Sequence, residues 1–125
     1  MTAQPLFPEG TPKPSAPYSP VVVSDGLVVV SGQIPFGPDG RLVSDDFVAQ
    51  ANQTFTNLGL CLAAAGCSFE DVLKVNAYLA DLGDFPAFNT VYESYFSAPY
   101  PARTTVQAGL LGFRIEVEAW ARQPS

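Results

Sequence analysis

The stretch VVVSDGLVVVSGQI, residues 21–34, decides how the rest of the chain is read. Two aliphatic runs, residues 21–23 and 27–30, flank the pair Asp25-Gly26. Both central positions of a tight hairpin turn need backbone that Asp and Gly tolerate better than other residues, so the pattern predicts two antiparallel strands joined by two residues. Gly32 closes the second run. The next stretch, PFGPDG at 35–40, is punctuated by Pro and Gly and predicts a loop.

Beyond the loop the period changes. From Asp45 onward Phe47, Ala51, Phe55, Leu58, Leu62 and Ala65 recur at steps of three and four, which places them on one face of a long helix. Gly66 is its natural C-terminal cap. Residues 68–71, SFED, resemble a capping box, and from Val72 to Leu79 the apolar alternation of a strand puts Val75, Ala77 and Leu79 on one side. Asp84 is expected to cap a second helix. Its inward face would carry Phe85, Phe88, Tyr92, Tyr95 and Phe96, and Pro99-Tyr100-Pro101 would end it. Two last strands, 103–108 and 113–121, are joined by a glycine-flanked GLLG turn.

In the other direction, Pro5, Pro8, Pro12, Pro14 and Pro17 make residues 1–16 a stiff, extended leader that excludes helix. The order is strand, strand, helix, strand, helix, strand, strand. It predicts a single α+β domain over residues 1–125, with two helices on one face of a mixed sheet. The other face needs cover. Val22, Val28, Val30 and Trp120 are expected there, too apolar to face water, and they predict a homo-oligomer.

Charge and composition narrow the function. The formal net charge is −6 and the pI is near 4.2, which works against polyanionic partners. Lys13, Arg41, Lys74, Arg103, Arg114 and Arg122 stand singly, so no basic cluster is present to follow a phosphate backbone, and no nucleic-acid partner is expected. No apolar run reaches membrane-spanning length and no signal-like start is seen, so no membrane partner and a cytoplasmic location are expected. Cys61 and Cys67 have no histidine anywhere in the chain to complete a zinc set, so idle thiols and no metal are expected. Without histidine, catalysis must rest on carboxylates, Tyr, Ser/Thr, Arg, backbone groups and water.

Five motifs in order carry a resemblance: Pro17-Tyr18-Ser19 before the hairpin, Ser31-Gly32-Gln33-Ile34-Pro35 at its end, Phe85 with Asn89-x-x-Tyr92, Pro101-Ala102-Arg103, and Ile115-Glu116-Val117-Glu118-Ala119. From about Pro17 to Ala121 the chain resembles the Rid family of reactive-intermediate deaminases. The resemblance implies a chorismate-mutase-like α+β fold, a homotrimer with sites between subunits, and no cofactor. It also implies hydrolysis of enamine or imine acids such as 2-aminoacrylate to 2-keto acids and ammonia. Two alternatives stay open: a non-catalytic trimeric module that binds small carboxylates, and a deaminase for a larger pathway enamine.

Carried over residue by residue, Arg103 is the carboxylate clamp, since a guanidinium offers two parallel N–H donors that lysine does not reproduce. Glu116 is the carboxylate that positions or activates water; Glu118, two residues on and on the same strand face, is the competing choice. Tyr18 walls the pocket and offers a hydroxyl for a proton relay. Gly32 gives a backbone group beside the substrate nitrogen, Thr105 a backbone N–H to the carboxylate, and Asn89 and Phe85 complete the binding set. Ala16, Pro20 and residues 110–113 depart from the common family pattern and are expected to border the pocket and tune its substrate.

Overall fold

The computed structural model describes residues 3–125; Met1 and Thr2, the start of the expected leader, lie outside them. Six strands form one sheet: β1 (Gln4–Leu6), β2 (Val21–Ser24), β3 (Leu27–Gln33), β4 (Val72–Leu79), β5 (Ala102–Gln107) and β6 (Ile115–Arg122). Two helices, α1 (Phe47–Ala64) and α2 (Phe85–Tyr92), pack on one face. The strand order is β1-β2-β3-β6-β4-β5; β4 and β5 run parallel and every other neighbouring pair is antiparallel.

The hairpin forms as its residues dictate. Val21 pairs with Val30 and Ser24 with Leu27, and Asp25 and Gly26 take φ of 51° and 80°, the left-handed backbone such a turn requires. Helix α1 starts where Asp46 accepts the Ala49 N–H at 2.9 Å, and the chain turns out of it at Gly66, with φ of 75°. The Ser68–Asp71 capping box is present, and β4 occupies the predicted span with Val75, Ala77 and Leu79 buried.

Part of the leader is a strand. Gln4, Pro5 and Leu6 pair with Val23, Val22 and Val21 at the end of the sheet. Edge strands tolerate a proline because one side of their ladder is unpaired, so the extended backbone that proline favours is recruited rather than left free.

Beneath the helices Phe55 is the hub of the core. Its ring lies 5.0 Å from that of Tyr95, 5.9 Å from Tyr92 and 6.1 Å from both Phe88 and Phe96. Aromatic pairs at such spacings contribute roughly 0.5–1.5 kcal/mol each beyond burial. Helix α2 stops at Tyr92, so Tyr95 and Phe96 reach the core from the turns after it rather than from a continued helical face. Two buried polar residues of α1 fix the loop from β3. The Asn57 carboxamide donates to the carbonyls of Ile34 and Phe36, and Gln50 donates to Ser44 and accepts the Arg114 N–H.

The face opposite the helices differs from expectation in its membership. Val28 and Val30 are fully buried in the core, while Leu27, Val106 and Trp120 are the exposed apolar residues of the open face. Side-chain parity along β3 is fixed by the turn at Asp25-Gly26, and it sends the even-numbered valines inward.

Candidate active site

Arg103 lies on the edge strand β5 opposite buried Val75 of β4, so its side chain falls on the helix face of the sheet. Helix α2 presents Phe85, Phe88 and Tyr92 at steps of three and four, hence on one side. The Arg103 guanidinium carbon lies 4.7 Å from the Tyr92 ring centre, 5.2 Å from Phe88 and 5.7 Å from Phe85. An aromatic face attracts a cation without using up its N–H donors. Among the described residues the ion pair found is Arg114 with Asp84, and Arg103 has no carboxylate partner. It lines instead a pocket of about 340 Å³ with Asn89, Tyr92, Glu93, Tyr100 and Pro101.

Tyr92 is buried and its hydroxyl makes no hydrogen bond within the described structure. Burial pushes its phenol up to about 12, against the opposing pull of Arg103, so the ring beneath the guanidinium is neutral. Thr105 follows on the same face, its hydroxyl also buried without a partner.

A second group stands on the open face. Glu116 and Glu118 alternate with the buried Ile115, Val117 and Ala119 along β6. Tyr78 of β4 donates its hydroxyl to Glu118 Oε1 at 2.6 Å. The Glu116 side chain lies directly over Gly32 of β3: a methyl group at position 32 would collide with Glu116 Oε2 and stand 2.8 Å from its carboxyl carbon. Burial raises the Glu116 carboxyl above its usual range, and the nearby Glu118 charge raises it further. The Tyr78 phenol is raised to about 12, chiefly by its bond to Glu118.

Tyr18 reaches this region through the chain preceding β2. Ser31 donates its hydroxyl to the Ser19 carbonyl at 2.6 Å and its N–H to the Pro20 carbonyl at 2.9 Å, which ties the segment carrying Tyr18 to the residue before Gly32. Tyr18 is 47% exposed and lines a broad cleft of about 980 Å³ between residues 7–20 and 38–40.

The site residues therefore fall into two sets. Arg103, Phe85, Asn89 and Thr105 gather on the helix face at the β5 edge; Gly32 and Glu116 gather on the open face, with the segment of Tyr18 tied to the residue before Gly32 by the Ser31 hydrogen bonds. Tyr78 pairs with Glu116 in register and Val75 with Arg103, and three residues along one strand separate opposite faces. One chain alone does not bring Arg103 and Glu116 together.

The family model described as endoribonuclease L-PSP matches residues 9–123. The goat protein named 2-iminobutanoate/2-iminopropanoate deaminase is 44% identical over 115 residues, which span 90% of this chain and 84% of that one. A crystal structure of the yeast protein YEO7 superposes with a TM-score of 0.94 at 38% identity, over 98% of this chain and all of the other. A Yersinia pestis structure, titled a protein of unknown function of the conserved Rid protein family, matches with a TM-score of 0.92 at 30% identity over 97% of this chain and 99% of that one. The chain belongs to the Rid family.

Within this Rid chain several residues play parts other than those expected of them. Asp84 makes no side-chain cap on α2: its backbone is already helical, at φ −83° and ψ −2°, and its carboxylate is gripped by Arg114 through Nη2 at 2.7 Å and Nε at 3.2 Å. Residues 110–113 do not line the Arg103 pocket; Phe113 is buried edge-on against Phe36, ring centres 5.7 Å apart. Ala16 and Pro20 border the broad cleft beside Tyr18. Cys61 and Cys67 are free and buried, and burial pushes the Cys61 thiol up to about 12, so it is an unreactive core group. Sequence reading overlooked Tyr78, Glu93 and Tyr100. The signal for Tyr78 is its alternation with buried Ala77 and Leu79, which puts it among the polar residues of β4.

Proposed function

We propose that this Rid protein hydrolyses small 2-imino and enamine acids to 2-keto acids and ammonia without a cofactor, as a homotrimer with its sites between subunits. The observation that carries the reading is Arg103: a guanidinium held on three rings, lacking a carboxylate partner among the described residues, and lining a pocket of about 340 Å³. That volume lies at the small end of ligand pockets. The goat relative's name supports the reaction class.

In this reading Arg103 grips the substrate carboxylate through paired N–H donors, with Thr105 N–H and the Asn89 carboxamide beside it and Phe85 against the substrate body. Glu116 takes a proton from water as oxygen adds to the imine carbon and passes that proton to the nitrogen, giving a carbinolamine. Transfer of the hydroxyl proton to nitrogen, through Glu116, then breaks the C–N bond and releases ammonia and the keto acid. A Glu whose proton affinity is raised is better matched to such an exchange near neutral pH than an ordinary one. Gly32 leaves room beside Glu116, and Tyr18 walls the site and relays protons.

The separation of Arg103 and Glu116 on opposite faces supports the oligomer, since a neighbour's open face must approach the β5 edge for the two to meet. The exposed Leu27, Val106 and Trp120 give that face apolar area to cover. The unit proposed is one domain of 125 residues. No helix of the described residues is long and apolar enough to cross a membrane, and free buried thiols accord with a cytoplasmic location.

The test is release of ammonia and keto acid from imines generated in situ by an amino acid oxidase, with wild type and Arg103→Ala compared after both are shown folded and assembled. Acceleration by wild type alone supports the reading. Binding of a keto acid with no acceleration favours a carboxylate-binding module, a reading supported by the pocket that one chain forms around Arg103. Acceleration confined to bulky imines favours a deaminase of a larger enamine.

A further inference from the structure

Two carboxylates of β6 share the open face, and among the described residues only Glu118 has a hydrogen-bond donor fixed on it. Tyr78 Oη donates to Glu118 Oε1 at 2.6 Å across the β4–β6 ladder, while Glu116 lies over the bare backbone of Gly32. A hydrogen bond given to a carboxylate favours its charged form, and a charged neighbour disfavours a second charge. We propose that Tyr78 and Glu118 form a positioning pair that assigns the roles on this face: Tyr78 fixes the Glu118 carboxylate in place, and Glu116 is left as the carboxyl that exchanges a proton. The inference rests on the deaminase reading of the same site and names two residues that this reading does not require.

The surroundings of Glu116 support the assignment. On β6 its face-mates are Glu118 and Trp120; on β3 they are Val29, Ser31 and Gly32, none of which titrates. On β4 they are Tyr78 and Asn76, and the one cation of that strand, Lys74, gives its ammonium to the Thr104 hydroxyl of β5 at 2.9 Å. Arg114, at the start of the strand, is committed to Asp84. Glu118 is thus the charge that Glu116 meets, and the raised proton affinity of Glu116 follows from burial with that charge added.

The experiment measures the acidic limb of kcat/KM for imine hydrolysis in wild type, Glu118→Gln and Tyr78→Phe, together with the titration of the Glu116 side-chain carboxyl carbon by NMR. Removing the Glu118 charge is expected to move both the limb and the Glu116 titration to lower pH by about one unit, the size of a nearby like-charge effect. Tyr78→Phe lets the Glu118 carboxylate move relative to Glu116, so the limb is expected to broaden without loss of the fold. Limbs and titrations unchanged in both variants overturn the proposal. So does abolition of turnover by Glu118→Gln with survival in Glu116→Gln, which reverses the roles. If wild type shows no deaminase activity, the NMR titration still decides the pair: a Glu116 midpoint that does not move in Glu118→Gln sinks it independently of the function.

Discussion

Arg103 and Arg114 are both half-buried arginines beside aromatic rings, and they do different things. Arg114 has its guanidinium 5.5 Å from the Phe47 ring and closes on Asp84 with two donors, Nη2 and Nε, joining the start of β6 to the start of α2. Arg103 has more aromatic surface beneath it and no carboxylate partner among the described residues. A paired arginine spends its fork on the fold, whereas an arginine held by ring faces keeps its fork for something that arrives. The difference separates a structural cation from a binding one more sharply than burial does.

The comparison is broken most directly by truncation. Arg103→Ala is expected to lower kcat/KM by about a hundredfold, the equivalent of losing a charge-assisted contact of roughly 3 kcal/mol, with little change in thermal midpoint. An active Arg103→Ala enzyme, or one that unfolds while Arg114→Ala does not, ends the distinction. Gly32→Ala tests whether the open-face group belongs to the same site. The added methyl must displace the Glu116 carboxyl, and a misplacement of that kind is expected to cost at least about tenfold in activity while the sheet still forms. Arg114→Ala is the complement: a loss of about 1–2 kcal/mol seen in denaturant midpoints, modest because the side chain is 42% exposed, with activity per folded molecule retained.

The smallest effect is in pH. Because Glu116 holds its proton above the ordinary glutamate value of about 4.3, the acidic limb of kcat/KM is expected above that value. The same raised affinity makes its contribution to stability most favourable below the unfolded value and lost as pH rises through the folded one. Glu116→Gln is expected to flatten stability against pH over that window.

How much of this was legible in the sequence follows the range of the interactions. The Asp25-Gly26 turn, the α1 stripe, the Ser68 capping box and the span of β4 are local patterns, and each stands where its residues predict. Asp84 is the opposite case. As a helix cap it is a sound local reading, and it fails because the turn begins earlier, where Asp81 accepts the Gly83 N–H, so Asp84 is already in helical backbone and its carboxylate goes to Arg114, thirty residues away. Val28 and Val30 lie on the face opposite to the one expected, because alternation gives two faces without saying which the helices cover. Most telling is the pair Arg103 and Glu116. Their separation depends on β6 inserting between β3 and β4 while β5 takes the edge, an order that no local pattern encodes. Motif matching found both residues, and the resemblance implied sites between subunits, but it could not tell which residue stands on which face of the sheet.

The short strand at the other end of the sheet has its own consequence. Pro5 lies in the middle of β1, and a proline has no N–H to offer a further strand. A three-residue edge interrupted in this way is a poor template for another chain's backbone, so β1 shields the valine-rich hairpin from the edge-to-edge pairing that leads to aggregation. Deleting residues 1–6 would expose Val21–Ser24 as a regular β-branched edge, and the protein's solubility at high concentration would register the loss before its catalysis did.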